Sequence, residues 1–328
     1  MPIHRGIFPH TIIAITYNKN ILFIPFISII MTTTKIKRIL VPIDFSDASY
    51  NAVNNALHLV KLLHAEIYLI CVTGNSTNHF SKWIENQNEE HTQIDEDNAI
   101  IRKMNEMKKD IELKHGITAH IHISTGYVYT EILNFANAKQ IDLIMMGTQG
   151  ITGLSEVIDG SNTQRVVSES SIPVLSIQTT CMALQFKNIL IPINNSYHSR
   201  EKVNIALYLG KLYNASIHIV GLLDSYDAHD IDLFHVKIRS VEEVIDASGM
   251  MRTTTLVHAK HLAQAALDYG IENNCDLIVI NTGHESEVNS ILLGAFAQHI
   301  VNHSRIPILS IKHTPTHYRM DSPGIPDF

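Results

Sequence analysis

Cysteine is scarce in this chain: three residues, Cys71, Cys181 and Cys275, among 328. They are odd in number, isolated and outside any CxxC spacing. Neither a disulfide framework nor a zinc site is expected from them, and they read as reduced thiols of a cytoplasmic protein. Positive charge is also in deficit. Lys and Arg number 25 against 32 Asp and Glu, a net charge of −7. The basic face that sequence-independent nucleic-acid binding requires is therefore not expected. Long apolar runs are short of membrane length as well. The run Ile21–Ile30 has ten residues and is interrupted by Pro25, so it cannot span a bilayer as a helix. No membrane partner is expected. A G-x4-G-K-[ST] phosphate loop is missing too, and no lysine lies between residues 147 and 163.

What the chain does have is an internal repeat. Lys37–Leu69 aligns with Lys187–Ile219 at a constant offset of 150, and sixteen of the 33 positions are identical. A second block aligns at offset 134, pairing Asp142-Leu143-Ile144 with Asp276-Leu277-Ile278, and Ile172-Pro173 with Ile306-Pro307. The first copy thus has a longer middle segment. Two units are expected, residues 37–180 and 186–314. Residues 1–36 form an N-terminal extension, with Met31 the expected biological start, and 315–328 a Pro- and Asp-bearing tail. Each unit alternates apolar runs of strand length with amphipathic stretches. In the first these are Arg38–Ile43, helix Asp47–Leu63, Glu66–Val72, helix Gln93–His115, Ala119–Ser124, helix Val128–Lys139, Asp142–Gly147, helix Gly160–Ser170 and Pro173–Gln178. Strands apolar on both faces and separated by helices predict an α/β fold with a doubly wound parallel sheet.

One spacing points to chemistry: Gly147-x2-Gly150-x9-Gly160-Ser161. It follows a strand pattern and opens a helix pattern. Glycines at such a junction let backbone N–H groups approach an anion, and a helix start favours negative charge there. In a doubly wound sheet, ligands lie beyond the C-terminal strand ends at the switch in strand order. If the first and fourth strands are neighbours there, Pro42-Ile43-Asp44 and Gly147 face one crevice. Asp44 can then accept hydrogen bonds from a ribose hydroxyl or an adenine amino group. The competing reading makes Asp44 a turn residue ahead of the first helix.

The motifs Ile39-Leu40-Val41-Pro42-Ile43-Asp44, Asp142–Gly147, the glycine spacing and Ile172-Pro173-Val174-Leu175 resemble those of the universal stress protein family, over nearly all of residues 37–314. The resemblance implies two tandem five-stranded sheets of order 3-2-1-4-5, related to adenine-nucleotide alpha-hydrolase folds. It also implies an adenine-nucleotide site, ATP with Mg2+ as the expected ligand, and pairing of the two units within one chain or in a homodimer. Carried onto this sequence, the nucleotide contacts fall on Pro42, Asp44, Val72, Met146, Gly147, Gln149, Gly150, Gly160, Ser161, Asn162 and Thr163.

The second copy departs from the pattern. Asp44 becomes Asn194, Gly147 becomes Asn281, Gly150 becomes His284 and Ser161 becomes Ala295, while Gly294 persists. One competent site, in the first copy, is expected, with stress-response function exerted through nucleotide-dependent conformation or through an unidentified protein partner. The alternatives are a slow ATP hydrolase and a nucleotide-free scaffold; no catalytic residue is assigned. The twenty histidines invite a metal reading at His258-x-x-His261 or His120-x-His122, but neither pair has an evident third ligand, and no metal is expected.

Overall fold

A computed structural model of the chain describes residues 35–73, 93–148, 162–195, 201–282 and 293–312. Within them, strands β1 (Arg38–Pro42), β2 (Glu66–Thr73), β3 (Ala119–Thr125), β4 (Leu143–Thr148) and β5 (Val174–Gln178) alternate with helices α1 (Asp47–Leu63), α2 (Gln93–His115), α3 (Val128–Ala138) and α4 (Asn162–Glu169). The second half repeats the series. Its strands are β6 (Asn188–Ile193), β7 (Ser216–Leu223), β8 (Arg252–His258), β9 (Leu277–Asn281) and β10 (Ile308–Ile311). Its helices are α5 (Glu201–Tyr213), α6 (Ala228–Ala247), α7 (Leu262–Glu272) and α8 (Ala295–His303).

All ten strands form one sheet of order β3-β2-β1-β4-β5-β10-β9-β6-β7-β8. Each half is parallel inside and has the expected 3-2-1-4-5 order. The halves meet at β5 and β10, which run antiparallel with Leu175 opposite Leu309, Ser176 opposite Ile308 and Val174 opposite Ser310. Strand residues alternate between two apolar layers. Leu175, Ile177 and Leu309 share one layer with α1, α2, α5 and α6. Val174 and Ile308 share the other with α3, α4, α7 and α8. Burial of both faces explains why these strands read as unbroken apolar runs.

Local signals place the ends of α1. Ser46 is the N-cap, its hydroxyl accepting from the Ser49 N–H at 3.2 Å, and His64 closes the helix in the left-handed region at φ 52°. That closure is repeated at Asn214, φ 53°, and the ends of α3 and α7 match likewise, at Gln140 and Asn274, both at φ 51°. The repeat thus extends to backbone conformation. Asp142, placed in the fourth strand by the sequence pattern, instead stands just before it. Its Oδ2 accepts from the N–H groups of Lys37 at 2.8 Å and Arg38 at 2.9 Å, tying β4 to the start of β1. Asp276 does the same for Lys187 and Asn188.

The connection between the halves docks on α1. Asn51 donates to the Gln178 carbonyl at 3.0 Å and Asn55 to that of Cys181 at 3.3 Å, while Asn55 Oδ1 accepts from Leu184 N–H at 2.8 Å. Leu184 and Phe186 are buried beyond it. The positions of Asn51 and Asn55 are occupied by Glu201 and Ile205 in the second half, and this clip has no symmetric copy among the described residues.

Two close contacts matter for stability. The first turn of α1 lies on the end of β4. A Cβ added to Gly147 would stand 2.0 Å from the Ala48 carbonyl oxygen and 2.3 Å from its carbon. Both atoms are backbone and cannot rotate away. In the second half, Lys202 occupies the position of buried Ala52 and is itself 4% exposed. Its ammonium donates to the Pro192 carbonyl. Burial, then the neighbouring Lys237 charge, lowers its pKa from 10.5 to about 7.

Gly147→Ala should therefore destabilise the chain by roughly 3 kcal/mol through overpacking, and an unchanged urea midpoint would refute the contact. For Lys202, the unfolded chain binds more protons than the native one between about pH 7 and pH 10.5. Stability should rise with pH across that window and level off below it. Lys202→Met should remove the rise and stabilise the protein at pH 7 by on the order of 3 kcal/mol. Parallel pH profiles for the two proteins would rule out the buried amine as its source.

Candidate functional site: the crevice at the β1–β4 switch

Strand order reverses between β1 and β4, which are direct neighbours through Ile39–Leu143 and Leu40–Ile144. The chain leaves β1 toward α1 and β2 on one side, and returns through α3 to β4 on the other. Helices on opposite faces therefore diverge here, at the edge where the topology calls for a ligand crevice. Pro42, Val72, Met146 and Gly147 are all brought to this C-terminal edge. Pro42 pairs with Ile70 at the last rung of β1, and Val72 with Ser124. Met146 and Gly147 pair with Ser176 and Ile177. Val72 and Met146 are buried, at 8% and 6% exposure, and both belong to the layer under α3 and α4. They form an apolar floor.

Asp44 is exposed just past β1. Its Oδ1 accepts from both the Ser46 N–H at 3.0 Å and the Ser46 hydroxyl at 2.6 Å. The turn-residue reading is thus correct for one oxygen. Oδ2 makes no hydrogen bond among the described residues. The turn that Asp44 closes holds Phe45 at φ 61°, a left-handed conformation that costs a bulky residue about 1 kcal/mol or more. The counterpart Asn195 is not among the positive-φ residues. The Asp44 charge also reaches Cys71 on β2. Burial, then that charge, pushes the thiol up to about 12, so it stays protonated and unreactive.

Gly147 has a packing reason for lacking a side chain, the contact with Ala48, in addition to the ligand-approach reason expected from the motif. Asn162 and Thr163 open the described part of α4, Asn162 exposed and Thr163 half-buried. Gln149, Gly150, Gly160 and Ser161 lie outside the described residues, as does His284 of the second copy.

Two cations at this edge escape sequence reasoning. Lys103, in the middle of α2, places its ammonium 4.6 Å from the centre of the Phe45 ring, and burial lowers its pKa. Arg165, one turn into α4, lies 5.1 Å from the Tyr129 ring centre on the opposite flank. Lys103 is 59 residues from Asp44 in the chain, so only the docking of α2 on the sheet brings it near. Arg165 stands four positions beyond the last residue of the loop motif, Ser161, and one helical turn further on. Together they supply positive charge from side chains, where the motif offered only backbone N–H groups.

The histidine pairs have separate uses. His120 stacks on Tyr68 with ring centres 4.5 Å apart, and His122 on Phe135 at 4.4 Å. His258 stacks on Tyr226 at 5.1 Å, while His261 is the N-cap of α7. Among the described residues, no helix is long and apolar enough to cross a membrane.

Comparison with known proteins agrees with this geometry. The family model for the universal stress protein family matches residues 35–178 and again 185–312. Universal stress protein MJ0531 of Methanocaldococcus jannaschii is 32% identical over 144 residues, covering 43% of this chain and 82% of that protein. Universal stress protein YxiE of Bacillus subtilis is 32% identical over 145 residues, 43% of this chain and 98% of its own length. Among solved structures, a universal stress protein from Archaeoglobus fulgidus superposes with a TM-score of 0.68 at 20% identity, over 85% of this chain and 100% of that one; at that identity the likeness concerns the fold. With two matches that together span most of its length, on a sheet of the corresponding strand order, the chain belongs to the universal stress protein family.

Proposed function

We propose that the first half binds an adenine nucleotide, ATP with its Mg2+, in the β1–β4 crevice, and that the protein acts in stress response through the conformation or partner surface that the nucleotide stabilises. The observation that carries this reading is the juxtaposition of Asp44 with the Gly147 strand end at the switch in strand order. Asp44 Oδ2 would accept from a ribose hydroxyl. Val72 and Met146 offer apolar contact for the base beside Pro42. The segment from Gly147 through Gln149 and Gly150, with Gly160, Ser161, Asn162 and Thr163 at the head of α4, would hold the phosphates, helped by the helix dipole. Lys103 and Arg165 would neutralise charge from the flanks. Domain assignment is part of the same proposal: residues 37–180 carry the competent site and 186–314 a degenerate one.

Asp44→Ala should weaken ATP binding at least about ten-fold, since a hydrogen bond to a charged group contributes about 1.5–3 kcal/mol. Asp44→Asn keeps the acceptor that holds Ser46 and separates loss of the turn from loss of charge. Isothermal titration of the full chain decides it. The reading fails if ATP binds wild-type protein no better than millimolar, or binds Asp44→Ala equally well.

A further inference from the structure

The sheet has two outer strands, β3 and β8, and their open edges are finished differently. On β8, the Ile217 N–H donates to the Met251 carbonyl and the Ala259 N–H to the Leu223 carbonyl, both at 2.9 Å. These two bonds fix the phase of the parallel ladder with β7. Alternate residues of such a strand bond the neighbour and the others face away. Odd-numbered residues from 251 to 259 therefore face β7, and the N–H and C=O groups of Arg252, Thr254, Leu256 and His258 point outward. On β3 the Gly126 N–H donates to the Thr73 carbonyl at 3.0 Å, so there the outward groups begin with those of Ala119.

That first outward position of β3 is occupied from α2. Lys108 Nζ donates to the Ala119 carbonyl at 3.0 Å, and Glu112 Oε1 accepts from the Ala119 N–H at 3.4 Å. Arg252 pairs with Ile217 as Ala119 pairs with Ile67. Glu242 and Asp246 of α6 stand where α2 has Lys108 and Glu112, at offset 134. Here the two carboxylates hold a side chain instead of the backbone. Arg252 reaches Glu242 at 2.6 Å and Asp246 at 2.7 Å, and its own N–H and C=O are left to the edge. β8 lies inside a continuous described stretch, residues 201–282. Among the described residues, no group bonds the outward backbone of Arg252, Thr254, Leu256 or His258. The strand carries neither proline nor lysine, and Thr253, Thr254 and Thr255 run in series. It thus has high strand propensity and lacks the residues that usually blunt an edge.

We propose that β8 pairs antiparallel with β8 of a second copy of this chain, about a two-fold axis through Thr255. This register sets Arg252 opposite His258 and Thr254 opposite Leu256, so every outward group of both strands is hydrogen-bonded. On the other face Thr253 lies opposite Val257 and Thr255 opposite its own counterpart, β-branched pairs that suit adjacent strands. The surface is self-complementary, as an isologous contact requires. Arg252 arrives already flanked by Glu242 and Asp246, and it meets the exposed stack of Tyr226 on His258, ring centres 5.1 Å apart, rather than a second arginine. The junction of β5 with β10 is a contact of the same kind, two outer strands of parallel sheets joined antiparallel. The pairing is independent of the nucleotide reading.

Cysteine cross-linking of the full chain tests the register. Thr255→Cys sets two thiols across a non-hydrogen-bonded pair, with Cα atoms about 4.5 Å apart, within disulfide reach. Thr253→Cys, at a more exposed position, leaves the thiols four residues apart along the paired strands, about 13 Å, and out of reach. Under mild oxidation Thr255→Cys should give a covalent dimer, while Thr253→Cys and the wild-type chain with its three native cysteines should not. In sedimentation velocity the wild-type chain should dimerise with a micromolar Kd. Thr255→Lys, which opposes two ammonium groups at the axis, should weaken the dimer at least about ten-fold with an unchanged circular dichroism spectrum. Three results would each overturn the proposal: a wild-type chain monomeric throughout the micromolar range, its edge left to a different partner; cross-linking at Thr253→Cys equal to that at Thr255→Cys; or a dimer indifferent to Thr255→Lys.

Discussion

The antiparallel pairing of β5 with β10 is the constraint on which the rest of this molecule depends. Each half alone is a parallel sheet with an exposed edge at its fifth strand, a row of unpaired backbone groups. Joining the two edges removes both and makes the apolar layers continuous from one half to the other. The pairing also sets how the two halves are oriented. Because the helices of like order fall on the same face, the halves are related by a rotation about an axis through the sheet near Leu175 and Leu309. Their C-terminal strand edges therefore point in opposite directions. The strand ends beside Asp44 and those beside Asn194 lie at opposite edges of one sheet.

Packing along the sheet explains why one half keeps its motif and the other does not. Gly147 serves two demands, close approach of α1 and an open strand end. Asn281 at the same position meets neither in the same way. Likewise, the buried ammonium of Lys202 where the first half has Ala52 shows a core that tolerates an unfavourable group. Asp44 shows the converse: one oxygen holds the turn that carries Phe45 at φ 61°, and the other makes no hydrogen bond among the described residues. In the first half, single residues at the strand ends thus carry packing and turn-forming roles that their counterparts in the second half do not repeat.

Much of this was readable from the sequence because it depends on local periodicity and repetition. The limits of α1 and α2 follow from apolar spacing, and the strand order from the resemblance carried by Pro42, Asp44 and the glycines. What was not readable depends on contacts between distant segments. Asp142 looks like the first residue of an apolar strand, yet its carboxylate ties down Lys37 and Arg38 a hundred residues earlier. Lys103 belongs to a helix whose stripe predicts docking but not which strand end it reaches. The clash that forbids a side chain at Gly147 comes from Ala48, and no spacing rule connects the two.

The clip formed by Asn55 on the connecting segment has an evolutionary corollary. A pair of identical subunits joined by the β5–β10 type of contact would separate on dilution, and every mutation would alter both members. Covalent linkage, with the joining segment pinned to α1 rather than left slack, raises the effective concentration of one half for the other to about millimolar or above. Assembly then no longer depends on expression level, and the halves are inherited as a fixed heterologous pair. Each is released from the requirement to match the other in sequence, so that one lineage of the duplicated gene segment can specialise while its sibling supplies the missing edge.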